Sequence, residues 1–323
     1  MPKSVVSRLA IVGILMISAA AVVIAAFSLL ETPTGDNNQP QTSPQSATAQ
    51  PGPWRGPNYT AELSSNVPHE FSGGRLRVTP QGNRRYIGPF GPKGVVFTLT
   101  DLPAHAFVHV TFDLLLLNSW NGCSPTWGPD IWACKLDDGP ELLRTTFCNC
   151  GFFSDNNEQN YPDLYPTPDG EPPHDAWTGA AEHGTLGDMH SWGGPDRTFD
   201  CSTIYRMDWI FPHADSTLKL DFTSKPIKRD KVFGFLSFHV ETLAAAVPLT
   251  DDQLKQAWND LGSDDAVAAN SAVWRLIASG DSATQMFAAK DLAKLNGYPL
   301  SRVRRVLQVV NTPAARDLSG RLP

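Results

Sequence analysis

The alternation of side chains in residues 107–117 restricts the fold of this chain more than any other feature. Apolar residues alternate there with polar ones, and a period of two is typical of a β-strand with one buried face. A polar, glycine-rich loop follows, and strand-like segments at residues 131–136 and 142–147 flank an Asp-Asp-Gly-Pro turn. The pattern predicts consecutive antiparallel strands with one elaborated loop.

Further short apolar segments with Gly and Pro turns between them continue the pattern on both sides. They lie at residues 75–78, 84–87, 95–99, 204–211, 217–222 and 232–240. Short strands with such turns favour two stacked sheets. We therefore predict a mainly β fold, an antiparallel β-sandwich resembling a jelly roll, over residues 54–247. Residues 150–201 show no clear period, and a long irregular stretch in a compact domain is commonly functional.

The period changes to about 3.6 residues after Val247, which predicts a small all-α domain at residues 248–323. Thr250 with Gln253 has the spacing of a capping box. Aspartates precede the second apolar stripe, and a Ser-x-x-Gln sequence at residues 282–285 predicts the start of a third helix. Four short amphipathic helices joined by tight turns are typical of a bundle or a short solenoid.

The N-terminus predicts export from the cytoplasm. Residues 9–30 contain no charge and follow a basic segment at residues 1–8, and about 20 apolar residues span a bilayer as a helix. We expect a cytoplasmic tail, a transmembrane anchor, and a disordered linker at residues 31–53, which are rich in Pro, Gln and Ser. The alternative is a long signal sequence cleaved near Ala25-Ala26. Either interpretation places the bulk of the chain outside the cytoplasm, at the cell membrane or surface.

Charge and cysteine content agree with an exported protein. The net charge is −7, so no basic footprint indicates a nucleic-acid partner. All five cysteines lie in the predicted β region, where disulfides are tolerated after export. We expect two bridges and one free thiol, with the pairing open. The candidates are Cys123, Cys134, Cys148, Cys150 and Cys201.

Two groups of residues have the chemistry of metal ligands. Calcium prefers oxygen ligands, and the loop after the first long strand offers such a set: Asp113, Asn121, Asp130 and Asn149. The alternative is that these side chains form hydrogen bonds to loop backbone, as Asx turns do. We expect no cofactor unless this set of oxygens binds calcium.

A second group could hold zinc with an open position, which would indicate a metal-dependent hydrolase. It comprises His174, Asp175, His183, Asp188 and His190. The competing interpretation is a solvated loop. The sequence contains no Gly-x-Ser-x-Gly nucleophile elbow and no glycine-rich phosphate loop, so we expect a noncatalytic protein.

Tryptophans in the loops suggest a binding surface. Exposed aromatic faces bind the apolar side of sugar rings, and Trp120, Trp127 and Trp177, with Asn121 beside them, are the candidates. Trp132 lies within a predicted strand, so we expect it in the core.

Three motifs follow one another along the chain: Ser-Trp-Asn-Gly at residues 119–122, Gly-Pro-Asp-Ile-Trp at 128–132 and Thr-Thr-Phe-Cys-Asn at 145–149. In this order they resemble a β-sandwich domain of planctomycete-type surface and secreted proteins. The C-terminal residues 247–311 resemble a helical segment of similar proteins. The family pattern has Asp where this chain has Asn121, and an acidic closing segment that is Phe-Gly-Phe-Leu-Ser here. Both departures weaken the calcium interpretation.

The resemblance implies a noncatalytic binding or adhesion module, similar to calcium-stiffened carbohydrate-binding jelly rolls. We therefore predict a membrane-anchored envelope protein whose sandwich loops bind carbohydrate or a protein partner. The alternatives are a metal-dependent hydrolase that uses residues 174–190, or a purely structural component of the envelope.

Overall fold

The computed structural model of the chain describes residues 54–149, 158–167, 172–191, 194, 196–226 and 230–323. The predicted tail, membrane span and linker lie outside these ranges, as does Cys150. Within the described ranges, no helix combines the length and the apolar character needed to cross a bilayer.

The described part of the chain is mainly β, with antiparallel sheets and a small C-terminal helical part. The strands are β1 Trp54–Thr60, β2 Arg75–Val78, β3 Arg85–Phe90, β4 Val95–Leu99, β5 Phe107–Leu117, β6 Ile131–Leu136, β7 Glu141–Thr146, β8 Glu158–Gln159, β9 His174–Asp175, β10 Glu182–His183, β11 Met189–Ser191, β12 Thr198–Asp200, β13 Thr203–Pro212, β14 Leu218–Lys225 and β15 Val232–Leu243. The predictions for β2, β4, β5 and β6 are confirmed with the same bounds. Strand β1 was not predicted, because it contains Gly56 and Pro57 and pairs with β15 through two register shifts.

Two sheets make up most of the β region. The larger has seven strands, in the order β10-β13-β5-β15-β3-β2 with β1 also on β15, and it curls into a half-barrel. The smaller has four strands in the order β4-β14-β6-β7. Strand β5 pairs with β13 on one side over residues 107–116 and with β15 on the other over residues 107–117.

The two sheets share an aromatic core. The ring of Phe112 on β5 lies 5.6 Å from that of Phe222 on β14 and 5.1 Å from that of Trp209 on β13. The predicted core position of Trp132 is confirmed, because this side chain is fully buried on β6 beside the Phe222 and Phe147 rings. Such aromatic pairs contribute roughly 0.5–1.5 kcal/mol each beyond the burial of their area.

Five α-helices follow in the described C-terminal residues: α1 Asp251–Leu261, α2 Ala266–Ala278, α3 Asp281–Ala288, α4 Gly297–Val310 and α5 Pro313–Ser319. The capping box of Thr250 with Gln253 is confirmed, and Asp265 caps α2. The N-cap predicted at Ser282 is wrong. Gly280, two residues earlier, occupies the N-cap position, so helix α3 begins at Asp281 without a side-chain cap.

The helices pack directly on the β region, and buried apolar residues of both parts form one continuous cluster. Trp274 of α2 stacks on Trp209 of β13 at 5.2 Å. Arg302 of α4 is 2% exposed and donates two hydrogen bonds of 3.0 Å to the carboxylate of Asp163, in the connection that follows β8. His174 contacts the same carboxylate at 2.8 Å. A buried carboxylate therefore fastens the helices to the irregular connection between β7 and β13.

The prediction of two bridges is wrong, because two bridges among five cysteines would join at least two of the four that the structure describes. The structure joins none of Cys123, Cys134, Cys148 and Cys201 to another of the four. Cys134 lies within β6, where its strand partners are Phe222 of β14 and Leu143 of β7 rather than a cysteine. Burial raises the pKa of Cys134 well above its usual value, as nearby acidic residues also do, so this thiol is a poor nucleophile.

The ion cluster at Asp163 predicts a specific loss of stability in acid. Burial by itself raises the pKa of Asp163, but the hydrogen bonds and charges of His174 and Arg302 outweigh burial and hold it below the usual 3.8. Because the pKa in the folded state is below that in the unfolded state, this stabilisation is complete above pH 3.8 and is lost as the pH falls through the folded-state pKa. The unfolding free energy of Asp163→Asn, measured with urea, should fall less steeply with decreasing pH in acid than that of the wild type. Asp252→Asn, at a carboxylate that is 94% exposed, should keep the pH dependence of the wild type. The same pH dependence in the wild type and in Asp163→Asn would contradict the assignment.

Candidate functional site

The loop between β5 and β6 closes over a buried lysine that sequence reasoning missed. Lys231 is 1% exposed, and its Nζ donates to Asn121 Oδ1 at 3.1 Å, to the Trp127 carbonyl oxygen at 3.4 Å and to Asp130 Oδ2. The three donors of the ammonium group thus meet three acceptors. Asp130 is fully buried and also accepts a hydrogen bond of 2.6 Å from the Asn121 backbone N–H.

The four predicted calcium ligands separate into different environments. Asn121 and Asp130 converge, but they converge on Lys231. Asp113 lies on β5 beside the guanidinium group of Arg206, 3.6 Å away. Asn149 accepts a hydrogen bond of 2.7 Å from the Trp120 N–H and donates to the Cys201 carbonyl oxygen. The ammonium group of Lys231 therefore supplies the positive charge beside the two loop residues that converge.

The three predicted tryptophan platforms also differ. Trp120 is fully buried, and its Nε1–H donates to the Leu117 and Val232 carbonyl oxygens. Trp177 is partly buried and stacks on His183 at 4.7 Å. Trp127 is 44% exposed at the tip of the loop. Of these three residues, Trp127 is the most exposed.

The histidines of residues 174–190 do not converge. His174 contacts Asp163, His183 stacks on tryptophan, and His190 lies in the β11–β12 hairpin opposite Phe199. Asp188 accepts a hydrogen bond from the Asn118 N–H. Within the described ranges, no three His, Cys, Asp or Glu side chains are grouped as metal ligands.

A cleft of 360 Å³ lies between β13 and α2, and sequence reasoning also missed it. One wall is β13, with Arg206, Asp208 and Ile210. The other wall is α2, with Val267, Asn270, Ser271 and Trp274. Tyr161, Pro162 and Leu249 complete the lining. Val267 is 51% exposed and falls outside the apolar stripe by which α2 packs. An apolar side chain on the polar face of a helix was the available signal.

The cleft runs along the open edge of the larger sheet. The short β10 covers β13 only at Thr203 and Ile204, and the Ile204 carbonyl oxygen accepts a hydrogen bond of 2.8 Å from the Ala181 N–H. Backbone groups of alternate residues point to the same side of a strand. The N–H and C=O groups of Arg206, Asp208 and Ile210 therefore point to the same edge, where no further described strand pairs with β13.

Charged side chains surround the mouth of the cleft. Arg206 and Asp208 are 72% and 74% exposed, and Asp208 accepts a hydrogen bond of 2.7 Å from His109 Nε2. Burial lowers the pKa of His109, but Asp208 and Glu241 outweigh burial and raise this pKa above 6.5. Arg275 of α2 contacts Asp260 at 2.7 Å. The cleft thus combines an apolar floor, charged rims and open backbone groups, which are features of a binding site.

No protein-family model and no curated protein matches the chain. Among solved structures, the catalytic domain of Agl-KA is similar over 72% of this chain and 35% of that chain, with 14% sequence identity and a TM-score of 0.31. This chain thus spans about a third of that protein. A likeness this weak supports no conclusion about fold or function.

The position of Lys231 predicts that calcium does not stabilise the loop between β5 and β6. A divalent ion would meet the ammonium group of Lys231, whose described acceptors are one carboxylate, one amide oxygen and one backbone carbonyl oxygen, whereas calcium prefers six to eight ligands. The thermal unfolding midpoint should be the same in calcium and in chelator. A midpoint that rises with calcium concentration, as binding to the folded state requires, would contradict this expectation.

Proposed function

We propose that the protein is a noncatalytic, membrane-tethered envelope protein that binds an extended segment of a protein partner along the edge of β13. The observation that supports this proposal best is the open edge itself, with backbone groups of Arg206, Asp208 and Ile210 facing a cleft. Proteins usually cover or blunt such edges because they pair with other chains. Here α2 stands beside the edge and leaves space in front of it.

Strand addition explains how the two walls would work together. An added strand gains main-chain hydrogen bonds from the edge, and pockets for alternate side chains provide specificity. The exposed Val267 and the partly buried Leu249 give the cleft an apolar wall, and Arg206 with Asp208 offers both charge signs at the rim. The volume of 360 Å³ suits a few residues of extended chain.

The cleft is less suited to a sugar. Sugar recognition by aromatic stacking requires an open ring face, whereas Trp209 and Trp274 stack on each other and are 2% and 6% exposed. Carbohydrate binding at the loop between β5 and β6 is the second candidate, because Trp127 is 44% exposed there. A glycan array would support that candidate if it gave a hit that Trp127→Ala removes.

The cellular context of the proposal comes from the sequence. The uncharged segment at residues 9–30 supports a membrane anchor, and the Pro- and Gln-rich residues 31–53 support a spacer that holds the binding region away from the bilayer. The resemblance to planctomycete-type surface domains supports an envelope location and a jelly-roll arrangement of the two sheets. We retain these interpretations as parts of the proposal.

The open edge predicts a pattern of amide exchange in the isolated protein. The N–H groups of Arg206, Asp208 and Ile210 should exchange about fivefold faster than those of Met207 and Trp209, which point towards β5, because a ladder hydrogen bond contributes roughly 1 kcal/mol. Residue-resolved hydrogen exchange by NMR measures this directly. Equal protection of both sets would show that the edge is already closed.

A photo-crosslinking side chain in place of Val267 tests partner binding in the native organism. We expect a discrete protein adduct from position 267 and none from position 78, where Val78 is 49% exposed on β2 and provides a matched control. Ile210→Pro removes one outward N–H and should abolish the adduct, since proline cannot donate to a strand pair. Unfolding midpoints of the variants verify that they remain folded. An adduct that persists in Ile210→Pro would contradict strand addition.

A further inference from the structure

The Lys231 site holds three groups that can react with one another. A lysine amine, a primary amide and a carboxylate come together where Lys231 contacts Asn121 and Asp130. Nζ lies 3.1 Å from Asn121 Oδ1, and the amide carbon is one C=O bond, about 1.2 Å, from that oxygen. An amine held this close to a carbonyl group approaches the separation of reacting atoms, about 3–3.5 Å.

We propose that Lys231 and Asn121 form an intramolecular isopeptide bond, with Asp130 as the proton carrier. The reaction needs no group beyond these three side chains. It is independent of the binding function proposed for the cleft, since it involves the other side of β5 and different residues.

The reaction balances in atoms and charge. The Lys231 ammonium group first gives a proton to the Asp130 carboxylate, which leaves a neutral amine and a neutral acid. The amine nitrogen then attacks Cγ of Asn121 and forms the new N–C bond. The bond from Cγ to Nδ2 then breaks. Asp130 delivers its proton to the leaving Nδ2, and Asp130 takes up one proton from the attacking Nζ of Lys231. The products are a secondary amide, one ammonia molecule and protonated Asp130, and nothing is oxidised or reduced.

Burial favours each step. Lys231 and Asp130 are 1% and 0% exposed, and a charged pair loses hydration there, so transfer of the proton to give two neutral groups removes a cost of burial. The hydrogen bonds to Asn121 Oδ1 and the Trp127 carbonyl oxygen fix the amine beside its target. Asp130 also accepts from the Asn121 backbone N–H at 2.6 Å, which keeps the carboxylate beside the reacting amide.

The bond would join two distant parts of the chain. Asn121 and Lys231 are 110 residues apart in the sequence. Asn121 belongs to the connection that runs from the larger sheet to the smaller one, and Lys231 directly precedes β15. A covalent bond at this point would close a long loop in the unfolded chain, which stabilises a fold as a disulfide does.

Peptide mapping of the full-length protein tests the proposal. Trypsin cleaves after Lys and Arg, but it does not cleave after a lysine whose side chain is part of an amide. Asn121 therefore lies in the peptide of residues 94–135, and a bonded Lys231 lies in the peptide of residues 230–255. We expect a branched peptide that contains both stretches, with a mass lower than their sum by one ammonia molecule and fragment ions that place the branch at Asn121. Linear peptides alone in the wild type would overturn the proposal. A branch with loss of water at Asp130 would overturn the assignment of Asn121.

Variants separate the roles of the three residues. Lys231→Arg keeps a cation but should give no branched peptide, and its unfolding midpoint should be lower than that of the wild type. Asp130→Asn keeps the amine and the amide but should also give none; a branch formed to the same extent in Asp130→Asn would overturn the role of Asp130. The matched control is Asp137→Asn at the exposed Asp137–Lys219 pair, with its 2.7 Å contact, and it should leave the branched peptide unchanged.

Discussion

The pairing of β5 with both of its neighbours sets the position of every other feature described above. Its register with β15 places Val232 opposite Leu117. Lys231, one residue earlier, therefore lies where the loop between β5 and β6 begins, and it comes within reach of Asn121 and Asp130. A register slip of one residue would reverse the faces of β15, so the site of the buried lysine and the aromatic core depend on the same alignment.

Strand pairing also explains why the edge of the larger sheet at β13 stays open. Strand β13 pairs with β5 over its full length, but β10 offers only two residues on its outer side. The helical part does not add a strand there. It contributes Trp274, which stacks on Trp209 near the edge, while Arg302 is held by Asp163. These two contacts fix α2 and α4 beside the sheet at a spacing that leaves a cleft instead of a closed interface.

Local patterns predicted much of the fold. The alternation in β5 and the short apolar runs of β4 and β6 gave the bounds of these strands, because a period of two reports which face is buried. The capping box at Thr250 was equally predictable from the sequence, since it depends on neighbouring residues alone. Strand β1 was missed because Gly56, Pro57 and its bulges break the alternation.

Residues that meet only in the tertiary structure were not predictable in this way. Trp120 lies in a polar loop, which suggests exposure, yet the loop folds inward and its indole N–H bonds to two backbone carbonyl oxygens. Lys231 has no unusual neighbours in the sequence, and its partners lie about a hundred residues earlier. The cleft required knowledge of which strand ends a sheet, and sequence periodicity does not contain strand order.

The charge of the loop between β5 and β6 explains why a lysine fits there better than a calcium ion. Calcium requires several anionic oxygens to balance two positive charges. With Asn at position 121, the described groups around Lys231 Nζ provide one carboxylate, that of Asp130, together with one amide and one carbonyl oxygen. One ammonium group neutralises one carboxylate, and its three donors match these three acceptors. Asn121 thus adds no charge that would attract calcium, and it provides the primary amide that an adjacent amine can attack with release of ammonia.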